Sequence, residues 1–164
     1  MNKIILFFVF AFAFTVSGFS QDISPNAIGL RLGDSDGFGA EISYQRGLSA
    51  NNRLEFDLGW RDGNNYNAFR LTGLYQWVFP IDAGFNWYVG PGLGIGGYDY
   101  DDEFIAGSDV DDSGTFAYVA GDIGIEYNFP IPLLLSLDFR PELGFGDFND
   151  DLDFDIALGV RYQF

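Results

Sequence analysis

Asp153-Phe154-Asp155-Ile156-Ala157-Leu158-Gly159-Val160-Arg161-Tyr162-Gln163-Phe164 closes the chain, with apolar residues at every second position. Successive side chains of a strand point to opposite faces, so Phe154, Ile156, Leu158, Val160, Tyr162 and Phe164 share one face. Asp155, Ala157, Gly159, Arg161 and Gln163 share the other. A half-buried strand of a soluble protein alternates in the same way, so the choice between settings rests on what lies upstream.

The alternation recurs along the chain. Strands are predicted at Ala27 to Leu32, Phe38 to Gln45, Arg53 to Trp60, Asn67 to Phe79, Phe85 to Tyr98, Thr115 to Phe129, Leu133 to Phe145 and Asp153 to Phe164. Turn signals separate them at Gly33 to Gly37, Arg46 to Asn52, Arg61 to Asn65, Pro80 to Gly84, Asp99 to Gly114, Pro130 to Pro132 and Gly146 to Leu152. Ahead of them, Lys3, the short apolar run from Ile4 to Val16 and the small residues around Gly18 and Ser20 read as a secretory leader. The expected organisation is a cleaved signal over 1–21 and one β domain over 22–164. No cysteine is present to carry a lipid anchor or a disulfide.

Past the leader no segment offers about 20 consecutive apolar residues, so no transmembrane helix is expected. A closed barrel is the other arrangement that leaves no unpaired backbone edge in lipid. The turns alternate in character as such a barrel requires. Those beginning at Gly33, Arg61, Asp99 and Gly146 hold Asp34, Asp36, Asp62, Asp99, Asp101, Asp102, Glu103, Asp109, Asp111, Asp112, Asp147, Asp150, Asp151 and Asp153 against a lone Arg61. Those at Arg46, Pro80 and Pro130 are short and nearly uncharged. Long loops outside and short turns in the periplasm are the usual asymmetry of bacterial barrels. The carboxyl terminus is therefore expected in the periplasm, with the acidic loops extracellular.

Aromatics gather where interfacial girdles belong. Tyr44, Trp77, Phe79, Phe85, Trp87, Tyr127, Phe129, Tyr162 and Phe164 lie on the lipid-facing parity near the short-turn side, and Phe38, Trp60, Phe69, Phe145 and Phe154 near the other. The opposite parity is polar and carries both signs of charge. Arg31, Arg53, Arg70, Arg140 and Arg161 point inward with Glu41, Glu55, Asp57, Asp122, Glu126, Asp138, Glu142 and Asp155, while Ser43, Thr72, Gln76, Asn86 and Gln163 fill gaps. With eight acids to five arginines, each arginine is expected to meet more than one acid. A lipocalin-like barrel would turn this charged face to water; leader, girdles, loop asymmetry and terminal Phe164 favour lipid.

The chain thus resembles the small eight-stranded outer-membrane barrels of the OmpA/OmpX-like kind, on the leader, the eight amphipathic strands, the alternating loop lengths and the terminal Tyr162-Gln163-Phe164. The resemblance implies an all-β fold, an eight-stranded antiparallel up-and-down transmembrane barrel. It further implies outer-membrane lipid as surroundings, and the secretory translocon and the barrel-assembly machinery as partners in biogenesis. Tyr162 and Phe164 would belong to the assembly signal. No periplasmic domain is expected after Phe164.

Catalysis is not expected, because the chain has no histidine and no cysteine to serve as base or thiol nucleophile. Paired carboxylates such as Glu55 and Asp57 are expected to partner interior arginines. Gly92-Leu93-Gly94-Ile95-Gly96-Gly97 matches the dinucleotide fingerprint by letter but alternates with apolar residues and leads into an acidic loop instead of a helix. It reads as a side-chain-free inner stripe, from Gly90 to Gly96, leaving room for Tyr88, Tyr118 and the arginines, or as a thin pathway.

Asp109-Val110-Asp111-Asp112-Ser113-Gly114 has the opening spacing of a calcium loop, making Asp109, Asp111 and Ser113 a candidate divalent-cation site for Ca2+, with no other cofactor expected. Its twelfth position is Ala120 where a bidentate Glu would stand. Removal of Lys3 with the leader takes the net charge from −16 to about −17, which makes nucleic acid a poor partner. The expected function is a non-enzymatic outer-membrane barrel with a structural or surface-interaction role and an unidentified surface ligand. The alternative is a narrow, porin-like pore for small or hydrophobic solutes.

Overall fold

The computed structural model describes residues 23–33, 39–62, 66–100, 113–145 and 152–164. Eight strands, β1 (Asn26–Gly33), β2 (Ala40–Gly47), β3 (Asn52–Asp62), β4 (Tyr66–Asp82), β5 (Phe85–Tyr100), β6 (Ser113–Asn128), β7 (Leu133–Phe145) and β8 (Leu152–Gln163), pair in chain order. All pairings are antiparallel, and β8 returns to β1 over Gly33↔Ala157 to Ala27↔Gln163, closing the barrel. Closure gives each strand two neighbours, which removes exposed edges.

Alternation decides which way each strand faces. In β8 every second residue from Asp155 to Arg161 is buried, and the residues between are exposed. Alternate residues are likewise buried from Arg53 to Gly59 in β3 and from Leu134 to Glu142 in β7, with half-buried or exposed residues between. The outer surface is consequently apolar: Leu93, Ile95, Leu137 and Ile156 are among the aliphatic side chains left half or more uncovered. Toward the end holding the short turns, the outer aromatics pack on one another, with Phe79 on Trp87 and Phe85 on Tyr127, both at 4.6 Å between ring centroids.

Connections follow backbone chemistry. Ala83 (φ 49°) and Gly84 (φ 94°) make the two-residue β4–β5 turn, whose left-handed pair matches the twist of the flanking strands. The expected stop at Pro80 does not occur: β4 runs on to Asp82 and takes up the proline in a register shift between Pro80 and Asp82. Such an irregularity is where a strand tolerates the missing N–H. Likewise Asp99 is not a loop residue but pairs with Asn67 and Ser113.

Two further prolines lie inside long strands. The β4–β5 ladder passes from Leu74↔Gly92 to Trp77↔Val89 with no pairing between, beside Pro91. The β6–β7 ladder is broken in the same way between Ala120↔Glu142 and Ile123↔Phe139, beside Pro141. Gly121, paired with Pro91, lies between the two breaks.

Candidate functional site

The barrel interior concentrates the polar chemistry of the molecule. All thirteen charged residues assigned inward by parity are buried: Arg31, Glu41, Arg53, Glu55, Asp57, Arg70, Asp122, Glu126, Asp138, Arg140, Glu142, Asp155 and Arg161. Every strand except β5 contributes at least one of them.

Arg140 on β7 is fully buried and reaches across the lumen to Asp57 on β3 at 2.7 Å. Glu55, Glu41 and Asp122 stand 3.6, 3.8 and 4.0 Å from its nitrogens. Glu41 on β2 also accepts from Arg31 at 2.8 Å and from Arg70 at 2.7 Å, so one carboxylate binds three strands together. Arg31 donates through Nε and Nη2 to Asp138 at 3.0 and 2.6 Å and lies 2.7 Å from Asp155. Arg70 adds Glu142 at 3.3 Å.

Arg53 and Arg161 depart from the expectation of several acids each. Among the described residues each has one carboxylate within pairing distance, Glu126 at 2.6 Å and Glu55 at 2.9 Å. Neutral acceptors take further donors, Gln76 from Arg53 Nε and Ser43 with Ser136 from Arg161, while Arg53 Nη2 has no hydrogen-bond partner among the described residues. A guanidinium has five N–H donors, so hydroxyls and amides serve it where another charge would not fit. Gln76 in turn donates to Asp122 and Glu55.

Beside this network lies a small apolar sector formed by Leu74, Tyr118, Ala120 and Phe116. It fits over the glycines of β5. A Cβ on Gly94 would fall within the Tyr118 ring, one on Gly96 within Phe116, and one on Gly92 against Leu74. Tyr118 also hydrogen-bonds Thr72. The expected stripe is therefore covered by side chains at Gly92, Gly94 and Gly96, with one change: Tyr88 stands over Gly124 on β6, under the guanidinium of Arg53 at 4.8 Å. Phe116 and Leu74 were legible as plugs only from sharing the inward parity of Tyr118 and Gln76.

At the short-turn end a cavity lined by Arg53, Asn86, Glu126 and Leu134 measures about 10 Å³. That is about one water. Glu55 and Asp57 are held by Arg161 and Arg140, so these two acids tie β3 to β8 and β7.

Tyr162 and Phe164 lie outside the barrel with stacked rings 6.2 Å apart. The backbone of Phe164 pairs in both directions with Asn26, whose side chain also accepts from Tyr44 and Arg46. Asp109 and Asp111 fall outside the described residues. Ser113 begins β6, exposed and opposite Asp99. Among the described residues, no three acids, histidines or cysteines are placed to hold a metal ion.

No protein-family model and no curated protein matches the chain. Solved structures do. The N-terminal β-barrel domain of Pseudomonas aeruginosa OprF aligns at TM-score 0.59 and 15% identity, over 85% of this chain and 95% of that one. Neisserial surface protein A aligns at 0.60 and 15%, over 85% and 93%. Ail, the attachment invasion locus protein of Yersinia pestis, aligns at 0.55 and 18% in its complex with the heparin analogue sucrose octasulfate, over 86% and 97%. At such identities the likeness is one of fold, and the fold is the closed eight-stranded up-and-down barrel of bacterial outer-membrane proteins.

Proposed function

We propose that this chain is a non-enzymatic integral protein of the bacterial outer membrane, with a structural or surface-interaction role. The observation that carries the reading is the inverted distribution of polarity: arginines and carboxylates are buried inside while aliphatic and aromatic side chains cover the outside. In water that arrangement exposes a large apolar belt and desolvates thirteen charges, which no soluble barrel gains by doing. In a bilayer the belt is solvated by acyl chains and the charges pair within.

The remaining assignments extend this reading. Residues 1–21 act as a cleaved signal, the translocon and the barrel-assembly machinery deliver the chain, the carboxyl terminus faces the periplasm and the acidic loops face outward. Ail has been solved with a sulfated sugar analogue; a chain with net charge −16 favours cationic partners at its surface. The filled lumen speaks against the pore alternative.

Fractionation tests the proposal. The expressed protein is expected in the outer-membrane fraction, resistant to carbonate extraction and running faster on gels when unheated than when boiled. Recovery in the soluble periplasm would overturn it. In planar bilayers no discrete openings are expected, whereas reproducible unitary currents would instead establish the pore.

A further inference from the structure

The sequence has seven arginines and a single lysine, Lys3. Five of the arginines are buried in the lumen among carboxylates, and Arg61 stands at the loop end of β3. Arg46 is the exception. It is exposed, it follows the outward Ile42 and Tyr44 at every second position of β2, and it therefore lies on the lipid-facing side of the barrel.

Register fixes its height. Arg46 pairs with Asn26 on β1 and with Leu54 on β3, and Leu54 pairs with Tyr75 on β4. The backbone of Phe164 pairs with Asn26 from the other side. One outward row thus runs from Phe164 through Arg46 to Tyr75, inside the aromatic band of the short-turn end. Apolar surface continues beyond that row: Leu48, Ile81 and Ile131, one on each short turn, are more than half exposed.

The hydrogen bonds leave one edge of the guanidinium open. Arg46 Nη1 donates to Asn26 Oδ1 at 2.8 Å, and the Tyr44 hydroxyl donates to the same oxygen at 2.8 Å. Asn26 Nδ2 reaches the main-chain oxygen of Phe164 at 3.4 Å, which holds the amide in place. Among the described residues Arg46 makes no other hydrogen bond and no ion pair. Nε and Nη2 therefore present two parallel donors with no protein acceptor, the fork that matches two oxygens of one anion.

We propose that Arg46, oriented by Asn26, binds the phosphodiester of a phospholipid in the leaflet at the short-turn end. The inference rests on the membrane reading above. A charge on the lipid face of a barrel is costly at depth and tolerated near the interface, where an arginine stem carries its head to the phosphates. Nε and Nη2 take two phosphate oxygens while Nη1 stays on Asn26, which keeps the fork from swinging. Recognition is of the phosphodiester, so ethanolamine and glycerol head groups both serve.

Solid-state NMR tests the contact through dephasing of labelled guanidinium carbons by lipid phosphorus. Arg61→Gln protein, with six arginines left, is reconstituted in vesicles of phosphatidylethanolamine and phosphatidylglycerol. About one sixth of the guanidinium signal is expected to dephase at short range, since the five lumenal arginines are shielded. Adding Arg46→Gln, with folding checked by heat-modifiable gel mobility, is expected to abolish that fraction.

In the same samples, magnetisation transferred from lipid acyl chains to the outward isoleucine methyls reports the membrane reading separately. Acyl-chain transfer without phosphorus dephasing overturns the site and leaves the membrane reading standing; Arg46 would then be occupied by a protein carboxylate such as that of Phe164. Dephasing that survives Arg46→Gln also overturns the site, because another arginine would be making the contact. Absence of acyl-chain transfer overturns the membrane reading, and the site with it.

Discussion

Arg140 shows what a single buried charge does in this lumen. It touches or approaches four carboxylates from three other strands and has no exposure. Replacing it with leucine leaves Asp57 without its guanidinium, and stranding a buried partner typically costs about 3 to 5 kcal/mol. Arg140→Leu is therefore expected to lower the urea midpoint in detergent far more than Arg61→Leu at the exposed end of β3; equal midpoints would place Arg140 in water or lipid. The opposite sign holds for an acid. Eight buried carboxylates face five arginines, and Asp122 Oδ1 has no hydrogen-bond donor. Asp122→Asn, which keeps an acceptor for Gln76 while removing one excess negative charge, is expected to leave stability within about 1 kcal/mol of the parent or to raise it. A loss comparable with Arg140→Leu in the same urea titration would show that the Asp122 charge is needed.

Single elements were legible from side-chain parity to the extent that each residue has a face. Inward assignment of the thirteen charges depends on one bit per residue, and alternation supplies it. Strand ends are different, because a terminus is set by hydrogen bonds to a partner that the chain itself does not announce. Asp99 looks like loop by composition, yet Asn67 and Ser113 hold it in the sheet, and Pro80 looks like a stop until a register shift absorbs it. Which acid an arginine meets was not legible either: Arg31 reaches Asp138 from 107 residues away, a pairing fixed by the stagger of the strands and not by their pattern. The interrupted ladders at Pro91 and Pro141 carry their own expectation. Hydrogen exchange in peptides covering 74–77 and 120–123 should be faster than in 56–59, where β3 pairs without a gap on both sides. Pro141→Ala, which restores one N–H, should add roughly 1 kcal/mol. Uniform protection across these peptides would mean that the gaps carry no local weakness.

For the molecule as a whole, closure and surface charge govern behaviour. Phe164 closes against Asn26, and Asn26 is tied in turn to Tyr44 and Arg46, so the last residue is stitched to two other strands. Deletion of Phe164 is expected to lower the yield of heat-modifiable protein in outer-membrane fractions; unchanged yield and mobility would remove Tyr162 and Phe164 from the assembly signal. The acidic loops, with Asp109 and Asp111, are expected to bind divalent cations weakly, in the range of about 0.1 to 1 mM. Calcium should then raise the melting temperature more than ionic-strength-matched sodium does, and Asp109→Asn with Asp111→Asn should abolish the difference. If the two salts act alike on the parent, the acids only keep the rim solvated.

The cross-lumen pairs also bear on how the chain reaches its final form. Arg31 on β1 is matched by Asp138 on β7, and Glu55 on β3 by Arg161 on β8. The first half of the chain is thus made with a set of charges whose counterparts are synthesised last. A seven-stranded intermediate would leave Glu55 without Arg161 and Arg31 without Asp155. Such an intermediate is penalised at both walls at once, and arrival of the last strand relieves both together. Closure by β8 is therefore favoured by charge as well as by backbone pairing, since its Asp155 and Arg161 each meet a buried partner laid down early in the chain.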